Sequence, residues 1–373
     1  MSVSEKIKVA KENSWKICIY GLGAIGAGFC NELIDIFNIE VNYYCDRNIN
    51  ALEAFKCDKK QKIVVNDLKK SEDNVLLFLL LGVQNAASAM EEFKGIPNFH
   101  IITWQELMAD KEVVESFFGF EIACEDRQVS KRISGMQNIK NEKIAVFTCI
   151  TNGYDKLSAP QLVEDNCDYF FITDLPDDEK VENEEFYTRL NISEIIPIGN
   201  EYTPKGKNRY CKSHGYDIFK EYKYSIYVDG NIMIVGKISE LINKIGNFGV
   251  AFHRLSYTND VFAHAMSLAI RNRIRKEDAI VEMKKIAKEG FPFDYGVPEC
   301  SVIVCDNTNI MAHKILDSWF VRYNQGQAKR DQLYLPYILW KMKISVDEVC
   351  TLPGNWRNNG YFEIVGMHSG IQE

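Results

Sequence analysis

The sequence predicts an α/β protein of two domains, because short apolar strands alternate with helix-length segments along most of the chain. Strand-like runs such as Lys16–Tyr20 and residues 75–83 are apolar and are bounded by polar turns. The chain has 373 residues, which exceeds an average domain and indicates two. The polar, charged stretch 126–142 is the predicted linker, and it separates residues 1–125 from residues 143–373.

Composition limits the classes of function that need to be considered. The formal net charge is −8 and there is no basic block, so we expect no nucleic-acid partner. The longest apolar run, residues 75–83, is too short to span a bilayer, and the first residues lack the apolar core of a secretion signal. The eleven cysteines show no Cys-x-x-Cys spacing, which favours reduced thiols in a cytoplasmic protein.

The first domain begins with a strand followed by a glycine-rich turn. Lys16–Tyr20 leads into Gly21-Leu-Gly23-Ala-Ile-Gly26, and a helical segment follows. A second predicted strand ends at Asp46, twenty residues after Gly26, which is the spacing of a ribose-binding acid. Glycines between a strand and a helix permit a tight turn and a close backbone approach to an anion. We therefore expect a Rossmann-like parallel-sheet domain over residues 1–125.

Two interpretations of these glycines stay open. In the first, Gly21, Gly23, Gly26 and Asp46 bind NAD or another nucleotide, as in an NAD-dependent oxidoreductase. In the second, the glycines only permit the tight crossover in a domain used for assembly or regulation. The segment resembles the small Rossmann-like domains attached to bacterial polysaccharide-building enzymes, in which the motif does not guarantee redox chemistry. The single histidine of this half, His100, begins an apparent strand and is a poor candidate for hydride transfer.

In the second domain, strands again end in polar turns. The most informative stretch is residues 219–235, where an alternating apolar run ends at Asp229-Gly230-Asn231 and an extended run then resumes. A carboxylate at the carboxyl edge of a sheet suits a metal or diphosphate site. However, Asp-Gly is also a strong signal for a hairpin turn. The residues by themselves leave both interpretations open.

Several motifs of the second domain, taken together, resemble those of the TOD/MUCI-type glycosyltransferase-like domain, found in plant wall-polysaccharide and bacterial surface-polysaccharide proteins. The resemblance covers more than half of the chain and implies a GT-A-like nucleotide-sugar transferase fold. The motifs that carry it, in chain order, are Thr148-Cys-Ile-Thr-Asn-Gly-Tyr-Asp155, Phe171-Ile-Thr-Asp174, Asn208-Arg209-Tyr-Cys-Lys212, Ser225-Ile-Tyr-Val-Asp229-Gly-Asn-Ile232, His253-Arg254, Glu289-Gly-Phe-Pro292 and Arg330-Asp331-Gln332.

The resemblance implies a divalent cation, manganese or magnesium. Asp229 is the expected metal or diphosphate ligand. Asn231 stands where a second carboxylate would complete an Asp-x-Asp pair, and its amide oxygen is a weaker ligand. His368, near the carboxyl terminus, resembles the histidine that completes the metal shell in several transferases of this fold, and imidazole suits manganese better than magnesium.

The resemblance also implies roles for other polar residues. Asp331 is the first candidate for catalysis, as a base or as a stabiliser of an oxocarbenium ion, and Glu299 is a second candidate for the base. The cations of the third motif are expected to clamp the donor diphosphate. The full set of expected donor-binding residues is Thr148, Asp174, Arg209, Lys212, Asp229, His253 and Arg254.

We therefore expect a glycosyltransferase that moves a sugar from a nucleotide-diphosphate donor to a surface polysaccharide or related glycan. The acceptor would be a glycan or a lipid-linked glycan, and the protein would lie in the cytoplasm or peripherally at the inner face of the membrane, where it could form a homo-oligomer. Two alternatives stay open: an NAD-dependent oxidoreductase that uses the first domain, and a non-catalytic scaffold for polysaccharide assembly. The neutral Asn231 is the feature that favours the scaffold.

Overall fold

The strands alternate with helices along the chain in a computed structural model that describes residues 1–124, 142–197, 201–355 and 359–366. The strands are β1 (Lys16–Tyr20), β2 (Tyr43–Cys45), β3 (Val75–Leu79), β4 (Phe99–Thr103), β5 (Ala123–Cys124), β6 (Ile144–Ile150), β7 (Cys167–Thr173), β8 (Thr188–Asn191), β9 (Tyr224–Val228), β10 (Ile232–Ile234), β11 (Val250–Arg254), β12 (Pro292–Phe293), β13 (Pro298–Asp306) and β14 (Phe362–Ile364).

Helices connect most of these strands, and many begin at a side chain that caps the first free amides, such as Asp260 before the helix Val261–Ile270. They are α1 (Val3–Glu12), α2 (Ala24–Glu32), α3 (Ile34–Phe37), α4 (Ile49–Ala54), α5 (Val65–Leu68), α6 (Val83–Phe93), α7 (Trp104–Ala109), α8 (Lys111–Phe118), α9 (Ile192–Ile195), α10 (Pro204–Ser213), α11 (Gly215–Ile218), α12 (Val261–Ile270), α13 (Lys276–Lys288), α14 (Ile310–Gln325), α15 (Leu335–Lys341) and α16 (Val346–Val349). The predicted α/β class is confirmed.

The chain forms two units. The first consists of Met1–Glu125 and Tyr257–Asp294, and the second of Asp126–Ser256 and Tyr295–Glu373. The sequence pattern predicted a single domain over residues 143–373, whereas the structure puts residues 257–294 with the first unit. Residues 126–141 of the predicted linker lie outside the described residues.

The first unit is built on a four-stranded sheet of order β2-β1-β3-β4, in which every pairing is parallel. Strand β3 is buried at each of its five positions, as expected for a strand covered by helices on both faces. The core on one face includes Tyr20, Leu77 and Phe93. This arrangement brings the carboxyl ends of β1 and β3 to one edge of the sheet.

Residues 257–294 belong to the first unit, in which α12 is buried around its whole circumference. Every residue from Val261 to Ile270 is buried, and a helix of this kind needs neighbours on all sides. It packs so closely on α2 that a Cβ at Gly28 would lie 2.0 Å from the carbonyl oxygen of Ile270. The following strand β12 pairs in parallel with β5.

The second unit contains a six-stranded mixed sheet of order β11-β13-β9-β6-β7-β8. The pairings from β9 through β6 and β7 to β8 are parallel, and β13 is antiparallel to both of its neighbours. All of β6 and β9 is buried. The carboxyl ends of these central strands therefore open on one edge, where polar side chains collect. No helix among the described residues has the length and apolar character needed to cross a membrane.

Candidate active site

The turn Asp229-Gly230-Asn231 connects two sheets. Strand β9, which precedes it, pairs with β6 and β13, whereas β10, which comes after it, pairs antiparallel with β14. The backbone amide of Asp229 donates to the carbonyl of Ser301 on β13 (2.9 Å), which fixes the carboxylate at the sheet edge. The hairpin interpretation of this sequence is therefore wrong, and Asp229 occupies the strand-end position expected for a ligand-binding acid.

A buried lysine joins Asp229 to Asp331. Lys212, on α10, places Nζ 3.1 Å from Oδ1 of Asp229 and 3.1 Å from Oδ2 of Asp331. The side chain of Lys212 is only 1% exposed, whereas that of Asp229 is 23% exposed. A single ammonium group thus joins Asp229 to Asp331, and Asp331 is 119 positions from Lys212 in the sequence. The family motif predicted that Lys212 clamps a diphosphate. In the structure, its ammonium group is instead paired with the carboxylates of Asp229 and Asp331.

Arg209 and Tyr227 complete this cluster of charges. Arg209 Nε lies 3.0 Å from Oδ2 of Asp331, and the hydroxyl of Tyr227 donates to Oδ1 of Asp229 (2.7 Å). The indole of Trp319 donates to the backbone carbonyl of Asp331 (2.8 Å) and holds that residue in place. We refer to Arg209, Lys212, Asp229 and Asp331 as the charge cluster. It balances two cations against two carboxylates, as a buried ionic group requires.

The cluster sets the ionisation of its members. Burial alone would raise the pKa of Asp331, but Arg209 and Lys212 outweigh it and hold that pKa well below its ordinary range. Burial opposes the charged form of Lys212 as well, and Asp229 and Asp331 overcome this to raise the pKa of the ammonium group. Both residues therefore stay charged throughout the neutral pH range.

Glu299, on β13, lies beside the cluster, and its pKa is raised, whereas that of Asp331 is lowered. Its Oε1 accepts from the Ser301 hydroxyl and from Nε2 of Gln332, each at 2.8 Å, and its Oε2 accepts from the Ser301 amide at 2.9 Å. Burial is the main cause that raises the pKa of Glu299 to about 7, and the nearby Asp229 adds to it. A carboxyl group with such a pKa suits proton transfer at neutral pH, although this one is only 2% exposed.

The raised pKa of Glu299 predicts a pH dependence of stability. Between its ordinary value of 4.5 and about 7, the folded protein keeps a proton that the unfolded chain has lost. The free energy of unfolding should therefore fall as pH rises through this window, by about 3 kcal/mol at most for this group. Buried Asp260 in the first unit, whose pKa burial also raises to about 7, contributes a slope of the same sign.

Denaturant unfolding of the wild type and Glu299→Gln at intervals from pH 5 to pH 8 checks this expectation. The variant should show a shallower fall than the wild type, with the Asp260 contribution remaining. Two parallel curves would show that Glu299 titrates alike in the folded and unfolded states.

The other expected donor-binding residues are distributed around the same sheet. Asp174, after β7, accepts from the backbone amide of Asn152 (2.8 Å) and so ties together the turns that come after β6 and β7. Thr148 lies buried in β6, and its hydroxyl has no hydrogen-bond partner among the described residues. Neither residue belongs to the charge cluster.

The pair His253-Arg254 ends β11. His253 is fully buried at an irregularity in the pairing with β13, and burial lowers its pKa to about 4, so the imidazole is neutral. Arg254 forms an ion pair with Asp347. The structure thus gives His253 a place in the core and gives Arg254 a partner on α16, whereas the family motif predicted that both bind the donor.

The expected metal ligands are only partly described. Asp229 and Asn231 both offer side-chain oxygens at the turn, and the backbone carbonyl of Asn231 accepts from the amide of Val365 (3.1 Å). His368 lies outside the described residues. Within the described part of the chain, no three His, Cys, Asp or Glu side chains form a group that could hold a metal ion.

Helical spacing reveals a further cation, Lys205, which is absent from the predicted donor-binding set. Lys205, Arg209 and Lys212 follow one another at i, i+4 and i+7 on α10 and so lie on one face, which Lys207 does not share. Burial, followed by the proximity of Arg330 and Arg209, lowers the pKa of Lys205 to about 8. A cation surrounded by other cations indicates a place where an anion would be stabilised.

Two of the three glycines in the first unit's turn are required by the backbone itself. Gly21 has φ of +93°, and a Cβ at Gly26 would lie 1.9 Å from the Gly21 carbonyl oxygen, so both positions require glycine. The carboxylate of Asp46 accepts from the backbone amides of Leu22 (2.7 Å) and Asn48 (2.8 Å). Gly23 differs, because a Cβ there would meet nothing within 4 Å.

The family described as TOD1/MUCI70, glycosyltransferase-like domain, matches residues 110–353, which is more than half of the chain. No curated protein matches the chain.

Remote likenesses exist among solved structures. The WbbM bifunctional glycosyltransferase in its apo form is 13% identical with a TM-score of 0.37, and the match covers 60% of this chain but only 41% of that one. Mouse xyloside xylosyltransferase 1 is 9% identical with a TM-score of 0.35, over 56% of this chain and 84% of that one. The galactosyltransferase LgtC, in complex with donor and acceptor sugar analogues, is 12% identical with a TM-score of 0.31, over 55% and 72%. Likenesses this remote identify no substrate or mechanism for this chain.

Proposed function

Because this chain belongs to the TOD1/MUCI70 glycosyltransferase-like family, we propose that it transfers a sugar from a nucleotide-diphosphate donor to a surface polysaccharide or a lipid-linked glycan. The observation that carries the proposal is the charge cluster at the carboxyl edge of the second unit's sheet. Its carboxylates and cations are held in place before any ligand arrives. Fixed charges of this kind stabilise charge that develops during a reaction at no cost of reorganisation.

The donor diphosphate would lie against the cationic face of α10. Lys205 and Arg209 occupy this face, and Arg330 lies near Lys205. When the bond between sugar and diphosphate breaks, negative charge grows on the leaving group, and these cations neutralise it. Lys212 would act indirectly, since both of its carboxylate partners already occupy its ammonium group.

Asp229 and Asn231 would hold a divalent cation at the exposed side of the turn, with His368 as a further ligand. The backbone amide of Val365 donates to the carbonyl of Asn231 (3.1 Å), which holds the chain after β14 at this turn. When bound, such a cation would add positive charge to neutralise the leaving diphosphate.

The ionisation of the two carboxyl groups suggests a division of roles. Asp331 has a lowered pKa, which makes it a weak base but a permanent negative charge. It therefore suits the stabilisation of positive charge on the reacting sugar. Glu299, with its pKa near neutrality, is the better match for proton transfer and would require a path from its buried position to the acceptor hydroxyl.

Donor binding should appear as a rise in the melting temperature. At a donor concentration of a hundred times Kd, binding stabilises the folded protein by about 2.7 kcal/mol. A panel of nucleotide-sugars, each with and without manganese, is the appropriate test, with NAD as a comparison ligand. Stabilisation by NAD and by no nucleotide-sugar would contradict the proposal.

The α10 lysines supply a matched pair of variants for this measurement. Lys205→Gln should weaken the donor-induced shift, because it removes a cation facing the other cations, and should leave the unliganded protein at least as stable. Lys207→Gln, on the same helix but off that face, should bind the donor like the wild type. Equal effects of the two substitutions would show that this face does not contact the donor.

A further inference from the structure

The first unit contains a cavity of about 440 Å³ at the carboxyl edge of its parallel sheet. Its lining comes from three places: the β1–α2 turn, the β3–α6 turn, and the loop that ends α12. The lining residues are Gly23, Ala24, Ile25, Leu80, Leu81, Gly82, Arg271, Asn272 and Arg273. The volume lies within the range of small-molecule binding sites, about 300–1,000 Å³.

Two arginines face this cavity, and neither has an acidic partner among the described residues. Arg271 is oriented by its own helix, since its Nε donates to the Ser267 carbonyl (3.0 Å), and its guanidinium lies over the ring of Tyr257. Within the described ranges, neither Arg271 nor Arg273 forms an ion pair with a carboxylate. Arg275, two residues further on, does contact Glu277 and Asp278. One side of the cavity is therefore lined by two guanidinium groups that no carboxylate among the described residues neutralises.

The two glycines of the lining leave room where side chains would fit. Gly23 has φ of −71° and Gly82 has φ of −61°, which any residue adopts, and a Cβ at either position would meet nothing within 4 Å. Each is the N-cap of a helix, α2 or α6, that has no side-chain cap. Local structure therefore requires glycine at neither position. Because glycine has no side chain, both helix starts are open to the cavity. The first backbone amides of a helix favour a bound anion.

From the cavity, the arginine pair and these open glycines, we propose that the first unit binds a small organic phosphate. The phosphoryl group lies between Arg271, Arg273 and the open helix starts, because a dianion matches two guanidinium groups. The rest of the ligand packs on Ile25, Leu80 and Leu81. A dinucleotide fits less well, since Asp46, the acid expected to bind its ribose, is bonded to backbone amides instead.

A competing explanation is that Arg271 and Arg273 only stabilise the helix that they end. They lie at the carboxyl end of α12, where cations offset the helix dipole by about 0.3–1 kcal/mol. If this were their only role, removing them would lower stability slightly and change no ligand affinity. The two explanations therefore differ in a measurable way.

Isothermal titration calorimetry on the full chain provides the test, with inorganic phosphate, adenosine 5′-monophosphate and glucose 1-phosphate as probes. We expect at least one organic phosphate to bind with one site in this unit. Tighter binding of adenosine 5′-monophosphate than of glucose 1-phosphate would identify the ligand as a nucleotide, and the reverse would identify it as a sugar phosphate. Arg271→Gln should weaken binding about tenfold and the double variant with Arg273→Gln about a hundredfold. Arg275→Gln, which makes the same charge change outside the cavity, should bind like the wild type.

Substitutions at Gly23 keep the test independent of folding. Aspartate and asparagine are both good N-caps, so Gly23→Asp and Gly23→Asn should melt at or above the wild-type temperature. Only Gly23→Asp adds a negative charge to the cavity, and it should bind the phosphate more than tenfold more weakly than Gly23→Asn. Absence of binding by all three probes, or binding that both Gly23→Asp and the double arginine variant leave unchanged, would overturn the proposal.

Discussion

Replacing Asp331 with asparagine is expected to lower the free energy of unfolding by about 3–5 kcal/mol and to abolish sugar transfer. Asp331 is the carboxylate that contacts both Arg209 and Lys212, and its side chain is only 7% exposed. The neutral amide keeps the shape of the side chain but leaves two buried cations with one carboxylate. At about 2–4 °C per kcal/mol, the melting temperature of the second unit should fall by roughly 10 °C.

Thermal and denaturant unfolding of the variant measure this effect, and Asp347→Asn is the matched control. Asp347 also pairs with an arginine, Arg254, but its side chain is 44% exposed, so its loss should cost about 0–1 kcal/mol. The double variant Arg209→Gln/Asp331→Asn restores the charge balance and should recover part of the loss. Equal stabilities of Asp331→Asn and Asp347→Asn would show that the charge cluster does not stabilise the fold.

Replacing Asp229 with asparagine is expected to reduce transfer by about a hundredfold or more while costing much less stability. The amide oxygen of the new side chain can still accept from Tyr227 and Lys212, and Lys212 keeps Asp331 as a partner. Because the side chain of Asp229 is 23% exposed and that of Asp331 is 7% exposed, water screens the charge of Asp229 more, and its loss costs less stability. The variant therefore loses the negative charge that would hold the divalent cation and keeps the fold.

A comparison of Asp331→Asn with Asp229→Asn tests whether the two aspartates have different roles. Melting temperature and transfer rate, taken together for both variants, should place Asp331→Asn low on both scales and Asp229→Asn low on the rate only. If Asp229→Asn transferred sugar at nearly the wild-type rate, the turn would serve only to connect the two sheets.

The location of Asp229 could be predicted from the sequence, because an alternating apolar strand that stops at a carboxylate is a local pattern. The pairing of β10, the strand after the turn, could not be predicted in this way. An Asp-Gly pair suits a hairpin as well as a change of sheet, and the choice depends on β14, more than 120 residues further along the chain. Local turn chemistry does not specify a distant pairing partner.

The burial of Lys212 shows the same limit at the site. Its motif suggested a cation that binds a phosphate, and the family resemblance supported that role. Its actual environment depends on Asp331, 119 residues away, and on the way α10 packs beside the sheet. The i, i+4, i+7 spacing of Lys205, Arg209 and Lys212 was available in the sequence and would have identified the shared face.

Residues 257–294 illustrate the corresponding limit for domains. The all-round apolar character of α12 predicts a buried helix, but hydrophobicity does not indicate which core encloses it. Residues 257–294 were predicted to belong to the second domain because they follow residue 143 in the sequence. The close contact between Gly28 and Ile270 depends on packing against α2, some 240 residues earlier in the chain.

The most direct test of the central claim is donor turnover by the second unit's site, followed as release of free nucleoside diphosphate from a panel of nucleotide-sugars with manganese. The wild type and the Arg271→Gln/Arg273→Gln variant of the first unit should both turn over at least one donor, and Asp229→Asn should not. Turnover that survives in Asp229→Asn and is lost in the arginine variant, or a nicotinamide-dependent oxidation in place of donor turnover, would contradict a glycosyltransferase centred on the charge cluster.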